Sequence, residues 1–532
     1  MKKRRLIALV MCTLMLLSIL AGCGSKGAEE SKSPSAEANT STNTTSSSTK
    51  DHLYVVDSAD VANLEPNESD EQTHYQYTRQ IYETLFVYDE NYDIQPWLCE
   101  SYEYEDDCTI IMHIRQGVKF HNGDELKASD VMFTFKRIVD ENLGGGRVDI
   151  ANIDIDKCEV IDDYTFKFVT TVPSATQIPL LEGPATGILS ERAYKEANGD
   201  FLNGACCGTG PYKFVSYAAG DCVELEAFED YWREGEPYVK YVTIRAITDA
   251  SSRAIEAETL GADIVYDINA TDIAMVDAAD GVSVISDLGT NTSHLLFNTA
   301  VAPMDDPLVR EAIWYALDPE AAVKLAYGDF GSFATGWVCP GILGYDADSY
   351  QACKVTRDVE KAKALLAEAG YPDGLEVEIA VQGNNQQRKD MSEAFQAQME
   401  EAGIHVTLNV MESATWVEYI LSGKHMMTIY GFSCADFEAD RALNQLVPSH
   451  SNYELCAYDN AEFQALVAEA NSTMDKDARE KLYIEAAEML MADHVTLPLW
   501  HKALNAAVSD SVEGFRITRS YEHHYLQYVK FK

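Results

Sequence analysis

Two stretches in the second half of the chain constrain the fold more than any others. In "VTRDVEKAKALLAEAGYPDGLEVEIAV" a helical period runs up to Gly370 and a strand alternation starts at once. "DMSEAFQAQMEEAGIHVTLNVM" repeats the order around Gly403. A glycine just past the last helical residue supplies the left-handed conformation that stops a helix. Successive helix-then-strand units imply sheets with helices packed on them. "SRAIEAETLGADIVYDI" shows the same alternation nearer the middle of the chain.

The remaining elements fit around these units. Leu53–Val56 reads as a short buried strand, and residues 74–88 place Tyr77, Ile81 and Leu85 at helical spacing. "CESYEYEDDCTIIMHIR" predicts a hairpin around Glu105-Asp106-Asp107, and a second hairpin centres on Ala219-Gly220-Asp221. "CEVIDDYTFKFVTT" and residues 238–248 add strands, and residues 459–494 predict a helical pair broken near Asp475. About 480 residues exceed what one core usually supports, so two or three domains are expected.

The N-terminus gives an address. Lys2, Lys3, Arg4 and Arg5 precede an apolar run from Leu6 to Leu20, followed by Leu20-Ala21-Gly22-Cys23. Charged start, apolar core and small residues before a cut describe an export signal over residues 1–22. The run is shorter than the roughly 20 apolar residues of a spanning helix. Its ending resembles a bacterial lipobox, which makes Cys23 the expected lipid anchor. Residues 23–50 contain almost nothing that could be buried and predict a disordered tether with a reach of roughly 30 Å. Removing the four cations of residues 1–22 takes the net charge from −45 to −49, which repels nucleic acid and anionic lipid.

"GVKFHNGDELKASDVMFTF" brings His121, Asp124 and Asp130 within ten positions. A tight turn accounts for the first two, because Asn122-Gly123 suits positive φ values. Asp130 falls in the first turn of a helix marked by Val131, Phe135, Ile138 and Val139, where a carboxylate meets the positive helix end. These residues therefore read as builders of the fold and not as a metal or acid–base site. No G-x-S-x-G elbow, H-E-x-x-H or P-loop occurs, and "GGG" at 144–146 and "GTG" at 208–210 lack the third spaced glycine of a dinucleotide site. With 86 acidic residues, a chance carboxylate dyad of the glycosidase kind stays open. The ten cysteines left after Cys12 and Cys23 show no C-x-x-C pair, and Cys206-Cys207 reads as two small buried thiols. His523-His524 reads as surface histidines, not ligands.

Several segments together resemble family 5 extracellular solute-binding proteins, the peptide- and nickel-type receptors of ABC importers. They are "IYETLFVYDENYDIQPWLCESYEYEDDCTIIMHIRQGVKFHNGDELKASDVMFTF", "GTGPYKFVSYAAGDCVELEAFEDYW" and "LLFNTAVAPMDDPLVREAIWYALDPEAAV". "AKALLAEAGYPDG" and "YDNAEFQALVAEANSTMDKDAREKLYIEAAEMLMADHVTLPLW" follow in the same order. The likeness runs from about residue 53 to 516. It implies an α/β, two-lobed fold of the periplasmic-binding-protein kind (type II, cluster C-like) with a small inserted extra domain. The first lobe would be 51–80 with 209–298 and 502–532, the inserted domain 81–208, and the second lobe 299–501. The implied protein is a monomer without cofactor. It is held to the outer face of a membrane by its lipid, and it closes on a small solute and hands it to permease subunits.

The resemblance also implies site residues. Trp416 and Phe432 occupy cleft aromatic positions, and Trp500 in "LPLWHK" an aromatic position at the cleft rim. Peptide receptors place an Asp three residues after the second aromatic to hold the ligand's ammonium. Here that position is Ala435, and Asp436 serves if the loop carries one extra residue. Ser69–Tyr75, with Thr73 and Tyr75, corresponds to a ligand-contacting loop. The expected solute is an oligopeptide. A nickel chelate, another metallophore or an oligosaccharide are rivals within the class; a secreted hydrolase with an acidic active site and a sensory receptor are rivals outside it.

Overall fold

The computed structural model describes residues 50–69, 72–328, 331–520 and 525–532. Cys23, the tether up to Thr49, Asp70 and Glu71 of the predicted loop, and His523-His524 lie outside the described residues. Lys50–Lys532 forms one compact unit.

Fourteen strands carry the architecture described here. In chain order they are β1 (His52–Asp57), β2 (Cys99–Asp106), β3 (Thr109–Ile114), β4 (Glu159–Asp162), β5 (Thr165–Val169), β6 (Tyr212–Ala218) and β7 (Cys222–Ala227). Then come β8 (Tyr241–Ala246), β9 (Ile264–Tyr266), β10 (Val282–Phe297), β11 (Leu375–Gln382), β12 (Ile404–Met411), β13 (Met427–Ser433) and β14 (Thr496–Ser509). Strands β2–β5 form a small antiparallel sheet in the order β2-β3-β5-β4, and the rest join one large sheet in the order β12-β11-β13-β10-β14-β9-β1-β8-β7-β6.

The large sheet is mixed because its connections are mixed. β1 pairs in parallel with β8 and β9, and β11 with β12 and β13; helices connect β8 to β9, β11 to β12 and β12 to β13. β10 runs antiparallel to β13 and β14. Strands buried on both faces read as unbroken apolar runs. On β1, Val55 packs into one core with Tyr212, Val242 and Ile264, while Val56 packs into another with Ala254, Val265 and Val276.

A separate core fills residues 85–207, where Phe135, Phe166 and Phe168 stack between the small sheet and the helix Ala128–Glu141. The largest core runs from Leu295 onward, joined by Tyr88, and gathers Ile313, Val377, Phe395, Met427 and Leu490. Two strands belong to more than one core. β10, 16 residues long, starts at Val282 in the first-lobe cluster and ends at Leu295, Leu296 and Phe297 in the largest core. β14 returns from Leu497 and Leu499 in the largest core to Leu504 and Ala506 in the first-lobe core. Their pairing is interrupted between Leu288 and Thr292 and again between Ser293 and His294. This antiparallel pair is the structural bridge between the lobes.

Residues 117–135 build the fold. Gly123 holds φ 88° in the turn, the Asp130 carboxylate accepts the Lys127 N–H at 3.0 Å, and the helix begins at Ala128. His121 Nε2 lies 2.9 Å from the Gly210 carbonyl. Residues 74–88 depart from the expected single helix. The helix covers Gln72–Thr78 only. Ile81 belongs to the first-lobe core and Leu85 to the core of residues 85–207, so one straight helix could not serve both. The Gln80 and Ile81 carbonyls accept Tyr212 and Gly210 N–H groups instead of continuing a helix.

Candidate ligand-binding site

Strand alternation sends neighbouring side chains of β10 to opposite faces. Thr292 stands opposite Phe432, and Ser293 stands opposite Trp500 on β14. The face bearing Asn291, Ser293 and Trp500 is the floor of a cleft of about 820 Å³. The first lobe contributes Ser58, Arg253, Asp267 and Asn269 to its walls; the second contributes Tyr327, Asn384, Asn385 and Arg388. Side-chain amides dominate. Asn269, Asn291, Asn384, Asn385, Gln387 and Asn505 can each donate and accept hydrogen bonds.

Arg388 stands out on the second-lobe wall. It lies in the first turn of the helix Gln386–Glu400, whose N-cap Asn385 side chain accepts the Arg388 N–H at 2.9 Å. A cation there is disfavoured by the helix dipole, so helix stability does not explain it. Its Nη1 donates to Gln382 Oε1 at 2.5 Å, and its guanidinium sits 5.0 Å from the Trp416 ring. Gln382 is in turn fixed by Ser413, whose hydroxyl donates to Asn384 Oδ1 at 2.6 Å. Arg388 Nε is buried without a hydrogen-bond partner. Burial pushes its pKa below the ordinary arginine value, opposed by the Tyr327 and Tyr430 hydroxyls and by no carboxylate among the described residues. A stacked, oriented guanidinium with open donors is built to receive a carboxylate.

The residues expected from sequence fall in different places. Trp500 lines the cleft and packs 5.4 Å from Tyr327. Trp416 is buried in the helix Ser413–Leu421, its indole N–H shared between the Ala380 carbonyl and Thr428 Oγ1, and it backs Arg388 without reaching the floor. Phe432 is buried on the other face of β13, against Trp337 and His294. Thr73 is half-buried, and the buried Tyr75 donates its hydroxyl to the Ser69 carbonyl at 2.6 Å.

Asp436 comes three residues after β13 and is not among the cleft-lining residues. It is 5% exposed, neither carboxyl oxygen has a hydrogen-bond partner, and the Tyr88 hydroxyl donates to its main-chain carbonyl at 2.7 Å. Burial and the neighbouring Asp440 hold its pKa well above the usual carboxylate range, opposed by Arg441. Asp436 thus lies where the second lobe meets the segment of Tyr88, away from Arg388.

Sequence reasoning missed Arg388, Asp267 and the amide floor. The one local signal was "GNNQQR", an amide-rich strand-to-helix corner that puts a cation where the helix dipole disfavours it. No group of three or more His, Cys, Asp or Glu side chains among the described residues could hold a metal. No described helix is long and apolar enough to cross a membrane.

Comparison with known proteins places this geometry in context. The profile of bacterial extracellular solute-binding proteins, family 5, matches residues 93–454. Heme-binding protein A of Haemophilus influenzae is 29% identical, over 97% of each chain. Glutathione-binding protein GsiB of Salmonella paratyphi A is 29% identical over 85% of this chain and 90% of its own. Among solved structures, the ABC transporter-associated periplasmic binding protein DppA of Helicobacter pylori, in complex with the peptide STSA, superimposes with a TM-score of 0.78. It is 25% identical and covers 91% of this chain and 98% of its own.

Proposed function

Because the chain belongs to family 5 of the bacterial extracellular solute-binding proteins, we propose that it captures an oligopeptide and delivers it to the permease of an ABC importer. The observation that carries the peptide reading is the cleft itself. Its floor is made of two strands that pass through the cores of both lobes, and its second-lobe wall presents Arg388 among side-chain amides. Amides suit a peptide backbone, which alternates donors and acceptors, and Arg388 suits the terminal carboxylate. Asp436, buried outside the cleft lining with both oxygens free of hydrogen bonds, takes the ligand's α-ammonium in this reading. The glutathione-binding relative and the peptide-bound DppA support the same ligand class.

Three further statements belong to this reading. The lobes close on the ligand by bending the β10–β14 pair, with 51–80, 209–298 and 502–532 moving against 299–501 and with 81–208 as the inserted domain. Interrupted pairing between Leu288 and Thr292 supports that location for the hinge. A ligand drives closure only through its greater affinity for the closed state. Cys23 carries a lipid that holds the protein at the outer face of the membrane. The ligand leaves chemically intact, as expected of relatives that are binding proteins. Native mass spectrometry of the purified protein tests the proposal. A co-purified peptide is the expected result; a bound solute without peptide bonds, or cleaved products, would overturn it.

A further inference from the structure

The joint between the lobes holds an arginine that the reading above leaves unused. Arg519 lies between Ile517 and Leu526, both packed in the first-lobe core, so it belongs with the first lobe. Its guanidinium reaches the place where the β10–β14 ladder lapses. Leu288 stands opposite Ala503, and the next pair is Thr292 with His501. Arg519 Nε donates to the Leu288 carbonyl at 3.0 Å and Nη2 to the Gly289 carbonyl at 3.2 Å. The arginine thus supplies donors where the strand pairing is interrupted. Nη2 also donates to the Pro340 carbonyl. Pro340 is set between Cys339 and Ile342 of the largest core, so it belongs with the second lobe. One planar group is bonded to both sides of the joint.

The surroundings are shaped to hold it there. Gly341 has φ 83°, and a Cβ at that position would strike Arg519 Nη1. Tyr92 and Phe437 flank the guanidinium, with ring centroids 5.9 Å and 6.0 Å from it and 4.5 Å from each other. The Tyr92 hydroxyl accepts the Arg519 main-chain N–H at 3.1 Å. Both aromatics are themselves in left-handed backbone conformations, φ 63° at Tyr92 and 60° at Phe437, which bulky residues rarely adopt. Such strain persists where the surroundings over-determine it, and it gathers at clamps and switches. Arg519 is not among the residues that line the cleft. Whatever it does for the ligand, it does through the lobes.

We propose that Arg519 is a positioning residue for ligand capture. Bonded at once to Leu288, Gly289 and Pro340, it holds the lobes at the angle at which both walls face one cleft. A bend between Leu288 and Thr292 changes the separation of the Gly289 and Pro340 carbonyls, and a rigid guanidinium fork spans them over a narrow range of angles. Breaking the fork frees the joint and lowers the share of molecules in the ligand-competent arrangement. Apparent affinity falls by that share, although no contact to the ligand is lost. The inference rests on the hinge and closure of the reading above, and it holds whether or not the solute is a peptide.

The test compares wild type, Arg519→Met and Arg519→Lys, each with a melting curve to show that it is folded. Methionine keeps the stem and removes every donor. Lysine keeps the charge but cannot bridge the carbonyls as a planar fork, and it carries both readouts if the methionine variant does not fold. Small-angle scattering of the unliganded proteins reads the lobe angle, and both variants should have a larger radius of gyration than wild type. Trialanine binding, followed by stopped flow, should weaken roughly tenfold in Arg519→Met. The loss should lie in the dissociation rate, because an unlatched cleft reopens sooner, and lysine should not restore it. Unchanged scattering, an unchanged dissociation rate or full rescue by lysine would each overturn the proposal while leaving solute capture intact. If wild type does not take up trialanine, that failure falls on the peptide reading. The scattering comparison then decides for or against Arg519 by itself.

Discussion

Replacing Arg388 by methionine separates what this residue does for the ligand from what it does for the fold. Methionine keeps an unbranched apolar stem against Trp416 and removes the charge. In the closed cleft, a guanidinium–carboxylate pair shielded from water contributes about 2–4 kcal/mol, which is roughly 30- to 1,000-fold in Kd. The unliganded protein should respond in the opposite direction. Arg388 is desolvated, its Nε is unpartnered, and its pKa is lowered by burial. Removing an uncompensated charge of this kind is neutral or stabilising, by about 1 kcal/mol here. The assay is calorimetric titration with a peptide recovered from the purified protein, as the free acid and as the C-terminal amide, on wild type and Arg388→Met. Amidation should weaken binding to wild type by the full factor and binding to the variant hardly at all, while the variant's denaturation midpoint holds or rises. Equal amidation penalties in both proteins would show that the carboxylate lies elsewhere and would refute the assignment.

Three further perturbations reach other parts of the molecule. Asp436→Asn should weaken peptide binding by roughly 10- to 100-fold, the value of a charged hydrogen bond. Its stability should not fall, because burial and the neighbouring Asp440 disfavour the charged carboxylate in the unliganded protein; affinity equal to wild type would remove Asp436 from the site. Gly289→Ala would place a Cβ 2.6 Å from the Lys502 carbonyl oxygen where β10 crosses between the lobes. It should cost about 1–3 kcal/mol by chemical denaturation, and an unmoved midpoint would mean that the crossing strands part freely. Cys23→Ser should release the protein from membranes into the soluble fraction; a variant that still sediments with membranes would rule out the lipid anchor.

How far the sequence reached depended on the range of the interactions involved. The helix–strand units ending at Gly370 and Gly403 were readable because a period change and a glycine with positive φ are local signals, and both glycines hold such values, 94° and 80°. The turn at Gly123 and the helical pair capped by Asp475 were local in the same sense. The segment 74–88 misled because Tyr77, Ile81 and Leu85 obey one period while packing into two cores, and periodicity carries no information about which core a side chain enters. The cleft was the least legible part. Asp267 and Arg388 are 121 residues apart, and nothing in either neighbourhood announces that β10 and β14 will set them on facing walls.

The fate of the two aromatics shows why family position alone does not fix a role. Phe432 sits on β13 opposite Thr292, and strand parity sends both away from the face that carries Asn291 and Ser293. One residue of slip in a strand exchanges its faces completely. The residue after Phe432, Ser433, stands opposite Asn291, so the cleft face continues through Ser433. The extra residue needed to bring Asp436 into the expected position is the same shift by one. With that shift, a serine occupies the place of a bulky cleft aromatic, and the site gains room beside Ser433. Ser433→Trp should then fill that space and exclude peptides with a large side chain at the facing position. Glycine or alanine there should still be accepted, as read by competition between peptides differing only at that residue. Equal loss of small and large peptides would mean that the tryptophan had disturbed the strand, and no loss at all would mean that Ser433 does not face the ligand.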